Sequence, residues 1–316
     1  MAITDSIINY RRFMKRRNYS KNTLRNYMNT LKHFVLWLDV PIEQVPHKKL
    51  LAFIDHLIDK RLQPKTINCY LDSIRGFYDY LINEEEISIG NPVKYGYNLK
   101  LSRPLPRYLR DEEVTRLFDV IDNPRDLAMF KLMLRCGLRV EEVVKLTLAA
   151  LDLRRGQVFV YESKGIKDRV VYLSKDAYHA LVKYLKVRPS SRAKRVFLVE
   201  KGRFKGKPIL VRGIQYRMKY YAQKAGLKAS CHQLRHTMAT QMLNADADIV
   251  TIQDLLGHTR VKTTQRYSQV SNRKVQRDYY KAMEKVLQRH SPYRKKKLDK
   301  GTNLRNVKQQ ITHQYQ

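Results

Sequence analysis

The stretch from residue 91 to residue 107 constrains this chain most, because no regular helix or strand can run through it. It contains three prolines and a glycine, Pro92, Gly96, Pro104 and Pro106. Proline lacks a backbone N–H and glycine weakens regular structure. The 316 residues also exceed the roughly 100–200 residues of an ordinary single domain. The sequence therefore predicts an N-terminal domain at residues 1–92, a linker at 93–107, a second domain at 108–290 and a flexible basic tail at 291–316.

Apolar residues recur at helical spacing throughout the first hundred residues. They do so between Leu24 and Leu38 after a Ser20 cap, at residues 50–58, and at residues 67–81 directly after Pro64. The first strong pattern thus begins about twenty residues into the chain. These patterns predict an all-helical N-terminal domain.

The second domain has a mixed pattern that is mostly helical. Helices are expected from a cap at Asp111, from Pro124 to Cys136 with an end at Gly137, and in five later segments, residues 174–187, 212–225, 231–245, 248–256 and 272–288. The only good strand signals lie at residues 158–161 and 170–173, on either side of a turn. The expected fold class is mostly α, with one small antiparallel β-sheet in this second, mainly helical domain.

The charge of the chain indicates a polyanionic partner. Lysine and arginine number 63 against 29 acidic residues, which gives a formal net charge of +34. Double-stranded DNA fits this charge, and a basic RNA-associated or ribosomal protein is the alternative from composition. In the linker, Lys94, Arg103 and Arg107 are candidates for following a phosphate backbone.

Cysteine use and hydropathy bear on location. Cys69, Cys136 and Cys231 are far apart and form no CxxC pair, which favours a reducing compartment over a disulfide framework. The N-terminus has no signal-peptide pattern, and no stretch approaches about 18 apolar residues. A soluble cytoplasmic protein without a membrane partner is expected.

Five short segments carry residues suited to a transferring phosphate. They contain, in chain order, Arg139, Lys164, His232 with Arg235, His258, and Tyr267. Two arginines can bind the charge that develops on a five-coordinate phosphorus. A tyrosine hydroxyl can attack phosphorus once a base removes its proton, and a lysine can protonate the departing sugar oxygen. Tyr267 is the candidate nucleophile, with His232 as the base and Lys164 as the acid.

The order and local context of these segments resemble the tyrosine recombinase (phage integrase, Xer-like) family. The segment from Gly137 to Glu142 is similar to the family's first arginine box, although a small polar residue is commoner where Glu141 stands. The segment HQLRHTMAT, which begins at His232, matches the second box, and residues 255–267 match the third, with the tyrosine nine positions after the histidine. Ser20–Leu38 and the Asn91-Pro92 boundary resemble the family's core-binding domain more weakly.

The resemblance implies a site-specific recombinase that forms a covalent 3'-phosphotyrosine and exchanges strands through a Holliday junction. Four protomers would act on two DNA sites, without metal or ATP. The helix expected after Asn272 has an apolar stripe with no evident partner in its own domain, which predicts that it docks on a neighbouring subunit in a C-terminal helix exchange. His258 would bind the phosphate, Glu142 would pair with a nearby cation and steady the helix that bears Arg139, and His236 would support the site. The short stretch before the first strong helix favours a simple-site enzyme without an additional arm-binding domain.

Three other interpretations stay open at this point. A type IB-like topoisomerase uses similar groups but does not exchange strands, and a DNA-binding protein could keep the fold without the chemistry. His232 and His236 also have a spacing that can bind zinc, with Cys231 adjacent. The sequence has neither an HExxH glutamate nor an evident carboxylate ligand there, so no metal is expected.

Overall fold

The computed structural model describes residues 3–102, 107–161 and 168–257. The chain divides into two units, Met1–Pro104 and Leu105–Gln316, and each has its own hydrophobic core. The described residues contain eleven α-helices and one three-stranded antiparallel sheet, which confirms the mostly helical prediction.

The first unit contains four helices in its described part. They are α1 (Ile3–Arg16), α2 (Lys21–Trp37), α3 (His47–Asp59) and α4 (Pro64–Asn83). The Ser20 hydroxyl caps α2 by accepting the N–H of Thr23 at 3.0 Å. Helix α4 begins at Pro64, where a missing N–H costs nothing because the first turn has no intrahelical acceptor for it.

Helix α1 shows that the expectation of a first strong helix after Ser20 is wrong. The helix buries Ser6, Tyr10 and Met14. Ile7 and Phe13 are partly buried beside Tyr10 and Met14, so apolar residues do recur at helical spacing in this segment. Several basic residues lie among them, and packing against α2 and α4 stabilises the helix.

The first part of the predicted linker lies against α4. The Asn68 side chain donates to the Leu99 carbonyl at 2.9 Å and accepts the Leu99 N–H at 2.7 Å. The Arg75 guanidinium donates to the Val93 carbonyl at 3.4 Å. Lys94 stays exposed between these anchors.

The second unit contains seven helices in its described part. They are α5 (Asp111–Asp119), α6 (Pro124–Arg135), α7 (Val140–Lys145), α8 (Lys175–Val187), α9 (Val211–Lys224), α10 (Cys231–Asn244) and α11 (Ile249–Leu256). Asp111 is the first residue of α5 rather than its cap. Arg110 occupies the cap position, and its N–H donates to the Glu113 carboxylate at 2.8 Å.

The sheet lies between α7 and α8 in the sequence. Its strands are β1 (Leu151–Asp152), β2 (Gln157–Val160) and β3 (Arg169–Tyr172). The predicted hairpin of β2 and β3 is confirmed, with Val158 opposite Val171 and Val160 opposite Arg169. A third strand, β1, which the sequence did not predict, pairs with β2. A two-residue strand is too short to show an alternating pattern.

Helix α6 forms the centre of the second core. Most of its residues are buried, and it packs against both α8 and α10. Its end therefore has a fixed position inside the unit. None of the described helices is long and apolar enough to span a membrane.

Candidate active site

The turn after α6 places Arg139 at the start of α7. Gly137 has a φ of +66°, which only glycine adopts easily. A Cβ atom at Gly137 would lie 2.8 Å from a Leu256 methyl group, so the turn closely contacts the end of α11. Arg139 is the N-cap residue of α7, and its N–H donates to Glu142 Oε2 at 2.8 Å.

Arg235 lies on α10 with only 1% of its surface exposed. Its guanidinium donates to the carbonyl oxygens of Gly137 and Leu256. A buried cation requires such acceptors, because it has lost its water. Arg235 therefore ties α10 to both the α6–α7 turn and the end of α11.

The Glu142 carboxylate bonds to two arginine side chains, those of Arg139 and Arg169. Its Oε1 accepts Arg139 Nη1 at 2.9 Å and Arg169 Nη1 at 3.0 Å, and its Oε2 accepts Arg169 Nη2 at 2.8 Å. No pattern in the sequence singles out Arg169. Arg169 lies at the edge of an apolar strand, where a basic residue is ordinarily assigned to the preceding turn. The only signal for it in the sequence was that Glu142 needs a cationic partner.

A cavity of about 620 Å³ brings Arg139, His232 and Arg235 together. The opposite wall comes from α9 through Gln215, Met218 and Lys219. Sequence reasoning missed Lys219, which is one of many lysines on a helix. The Arg217 side chain, also on α9, donates to the fully buried Asp126 at 2.5 Å and so anchors this wall to α6.

His232 lies in the first turn of α10, after the Ser230 cap. Partial burial and the positive charges of Arg235 and Arg139 lower the pKa of this histidine, and only Glu141 opposes the shift. A histidine with a lowered pKa is neutral at physiological pH and can accept a proton. Its ring contacts the ring of His236 edge to face, with centroids 4.2 Å apart.

A second depression, of about 450 Å³, adjoins the first one through His232. Arg107, Lys228, Gln233 and His236 also line it. Arg107 from the predicted linker thus lies in the same unit and beside the same histidine. The two depressions together form a surface lined by cationic and hydrogen-bonding side chains, which suits a phosphate-bearing ligand.

The remaining predicted residues have different positions. Lys164, His258, Tyr267 and Arg103 lie outside the described residues, as do the expected helix at 272–288 and the tail. Lys94 belongs to the first unit. Within residues 3–102, 107–161 and 168–257, no group of three or more His, Cys, Asp or Glu side chains could hold a metal ion.

Comparisons with known families cover both units. Residues 107–274 match the phage integrase family, and residues 7–85 match the N-terminal SAM-like domain of phage integrases.

Relatives and solved structures agree with these matches. The chain is 34% identical over 262 residues to the tyrosine recombinase XerC of Thermodesulfovibrio yellowstonii, covering 79% of this chain and 86% of the relative. It is 30% identical over 277 residues to XerC of Staphylococcus carnosus, and the match covers 84% of this chain and 92% of that relative. A lambda integrase dimer bound to a COC' core site has a similar fold, with 19% identity, a TM-score of 0.70 and coverage of 84% and 95%. The Tn1549 transposon integrase in complex with transposon right end DNA also has a similar fold, with 18% identity and a TM-score of 0.72. The match covers 84% of this chain and 94% of that structure.

Proposed function

Because this chain belongs to the phage integrase family, we propose that it recombines DNA at specific sites by cleaving and rejoining strands through Tyr267. The family match covers more than half of the chain, and the XerC relatives are similar over most of their length. The chain is a tyrosine recombinase, and its second unit carries the chemistry.

Cleavage would proceed as a direct transesterification. The Tyr267 oxygen attacks the scissile phosphorus, and the bond from phosphorus to the 5' oxygen of the next nucleotide breaks. His232 takes the tyrosine proton, and Lys164 gives a proton to the departing 5' oxygen. Arg139, Arg235 and His258 bind the non-bridging oxygens. The 3'-phosphotyrosine keeps the energy of the broken bond, so a 5' hydroxyl can rejoin the strand without ATP or metal.

The single observation that supports this scheme best is the convergence of Arg139, Arg235 and His232 on one cavity. The two guanidiniums come from different elements and reach it only through folding. The lowered pKa of His232 leaves its ring neutral and able to act as a base. Glu142 and His236 support the site by contacting Arg139 and His232 respectively.

A suicide substrate with a nick near the scissile bond tests the scheme. The wild type should accumulate a covalent protein–DNA complex, and Tyr267→Phe should bind the same DNA without forming it. Tyr216→Phe is a matched control, because Tyr216 is an exposed tyrosine of the same unit and should leave the complex intact. Covalent linkage by Tyr267→Phe would show that another residue is the nucleophile.

We also propose double-stranded DNA as the partner and four copies on two sites as the assembly. The support is the family membership, the charge of +34, and a lambda integrase tetramer on a Holliday junction with a similar fold. Residues 1–92 would form the core-binding domain, residues 93–107 the basic linker with Lys94, Arg103 and Arg107 on phosphates, and residues 291–316 a tail. We expect the protein to lie in the cytoplasm, because its DNA partner is there. Cell fractionation would check this location.

The assembly has its own test. Two-site DNA should yield junction intermediates, whereas a topoisomerase-like enzyme would only relax supercoils. The helix expected at residues 272–288 would dock on a neighbouring subunit. A protein truncated at residue 272 that still formed synaptic tetramers would contradict that docking.

A further inference from the structure

The end of α11 is bound by three arginines at three successive carbonyl groups. Arg169 Nε donates to the Leu255 carbonyl at 2.8 Å, Arg235 donates to the Leu256 carbonyl, and Arg139 Nη2 lies 3.5 Å from the Gly257 carbonyl. The last carbonyls of a helix have no intrahelical donor and carry the negative end of its dipole, so cations bind there. Two of these arginines have a part in the proposed chemistry, and Arg169 has none.

Arg169 forms a bidentate ion pair with Glu142. Its Nη1 and Nη2 donate to the two carboxylate oxygens at 3.0 Å and 2.8 Å. The side chains of Arg169 and Glu142 are only 7% and 4% exposed, whereas that of Arg139 is 27% exposed. Bonds to both oxygens fix the plane of the carboxylate, and they are stronger in a site without water.

The carboxylate that Arg169 fixes is the group that orients Arg139. Glu142 Oε1 accepts Arg139 Nη1 at 2.9 Å, and Glu142 Oε2 accepts the Arg139 backbone N–H at 2.8 Å. The more exposed Arg139 thus depends on this carboxylate for its direction. Arg169 is itself held at a third point, the Leu255 carbonyl, so it cannot follow a shift of Glu142.

We propose that Arg169 is a positioning residue for DNA cleavage, which acts through Glu142 to aim the Arg139 guanidinium at the scissile phosphate. This inference rests on the proposed function, in which Arg139 binds that phosphate. Arg169 does not touch DNA. Lysine could not replace it, because one ammonium group cannot bond both carboxylate oxygens and the helix-end carbonyl in a fixed plane.

The test compares Arg169→Met and Arg169→Lys with the wild type in the full-length protein. The first-order rate of covalent-complex formation on the nicked substrate is measured at saturating protein, together with the Kd for the same DNA. We expect the rate per folded molecule to fall about 100-fold for Arg169→Met, the size of effect that a 1 Å misplacement produces. Arg169→Lys should show a smaller fall, and the Kd should stay within about threefold because the phosphate-binding charges remain.

Arg188→Met is the matched control for loss of an arginine that makes several hydrogen bonds. The Arg188 guanidinium donates to the carbonyl groups of Ala193, Arg195 and Val196, in the same unit but outside the lining of both depressions. It should lower the melting temperature and leave the cleavage rate per folded molecule unchanged. A rate loss equal to that of Arg169→Met would overturn the proposal.

A double-mutant cycle separates positioning from general stability. In an Arg139→Ala background, Arg169→Met should reduce cleavage by less than about threefold further, because the group that it positions is gone. Equal losses in both backgrounds would overturn the proposal. If Arg169→Met does not fold, Arg169→Lys takes its place in the same cycle. A wild type that forms no covalent complex would refute the proposed function, whereas wild-type rates in the Arg169 variants would refute only this inference.

Discussion

Replacing Glu142 by glutamine should destabilise the second unit strongly while leaving its shape nearly unchanged. The carboxylate accepts four hydrogen bonds from the N–H groups of Arg139 and Arg169, and its side chain is 4% exposed. Glutamine keeps the volume, but it removes the charge and turns an NH₂ group toward guanidinium donors. Arg169 is then a buried cation without its counterion.

The size of the effect follows from the burial of the partners. Removing one partner of a buried ion pair costs about 3–5 kcal/mol in the free energy of unfolding. Arg139 is 27% exposed, so water can hydrate it again, and we expect a loss of about 3–4 kcal/mol. For a unit of this size, that loss lowers Tm by roughly 6–16 °C.

Urea unfolding of the full-length protein measures this loss with an internal control. The single tryptophan, Trp37, lies in the first unit, so its fluorescence reports that unit alone. Far-UV circular dichroism reports both units. Glu142→Gln should shift the circular dichroism transition of the second unit to lower urea and leave the Trp37 transition unchanged.

Glu141→Gln provides the matched substitution. Glu141 is the preceding residue, and it is exposed, so its replacement should change the unfolding free energy by less than about 0.5 kcal/mol. If Glu142→Gln stays within the same limit, the carboxylate does not hold the site together, and the reasoning from its ion pairs is refuted.

Two further predictions concern the turn and the histidine of the site. Gly137→Ala should lower the stability more than Gly226→Ala does, and it should also slow cleavage. Both glycines have a φ of +66°, but only at Gly137 would the new methyl group lie 2.8 Å from Leu256. Equal losses of stability in thermal melts would contradict this prediction. The cleavage rate at subsaturating DNA should fall as pH drops through the pKa of His232, since protonation removes the base; that pKa is lowered, so the midpoint should lie below the ordinary value of about 6.5. A midpoint above that value in the wild type, or the same profile in His232→Gln, would exclude this role.

Local signals in the sequence predicted most of the helices. A Ser20 hydroxyl, a proline at position 64 and a left-handed glycine at 257 define helix ends through their own backbone chemistry, and the structure has helix ends at each. Helix α1 and strand β1 were not predicted. The helical spacing of Ile7, Tyr10 and Met14 could have indicated α1. Strand β1 has only two residues, so its pairing with β2 decides it.

The contacts within the site were less accessible to sequence reasoning. Spacing indicates which residue types belong to a phosphate-transfer site, but it does not indicate which partner each one has. Arg235 bonds Gly137 and Leu256, which are 98 and 21 residues away in the chain. Arg169 bonds Glu142 across 27 residues. Such partners follow from the three-dimensional arrangement of four elements, which no local pattern contains.

In the proposed mechanism, the fixed geometry of this cluster would favour the transition state of cleavage over the bound substrate. Arg139 and Arg235 are the two guanidinium groups that line the cavity. A five-coordinate phosphorus is doubly negative once the tyrosine proton has left, so these groups would bind it more strongly than a singly charged phosphodiester. Fixed charges of this kind lower the barrier because they need not reorganise during the reaction. Glu142 would contribute by orienting Arg139, and Arg169 by fixing the plane of the Glu142 carboxylate.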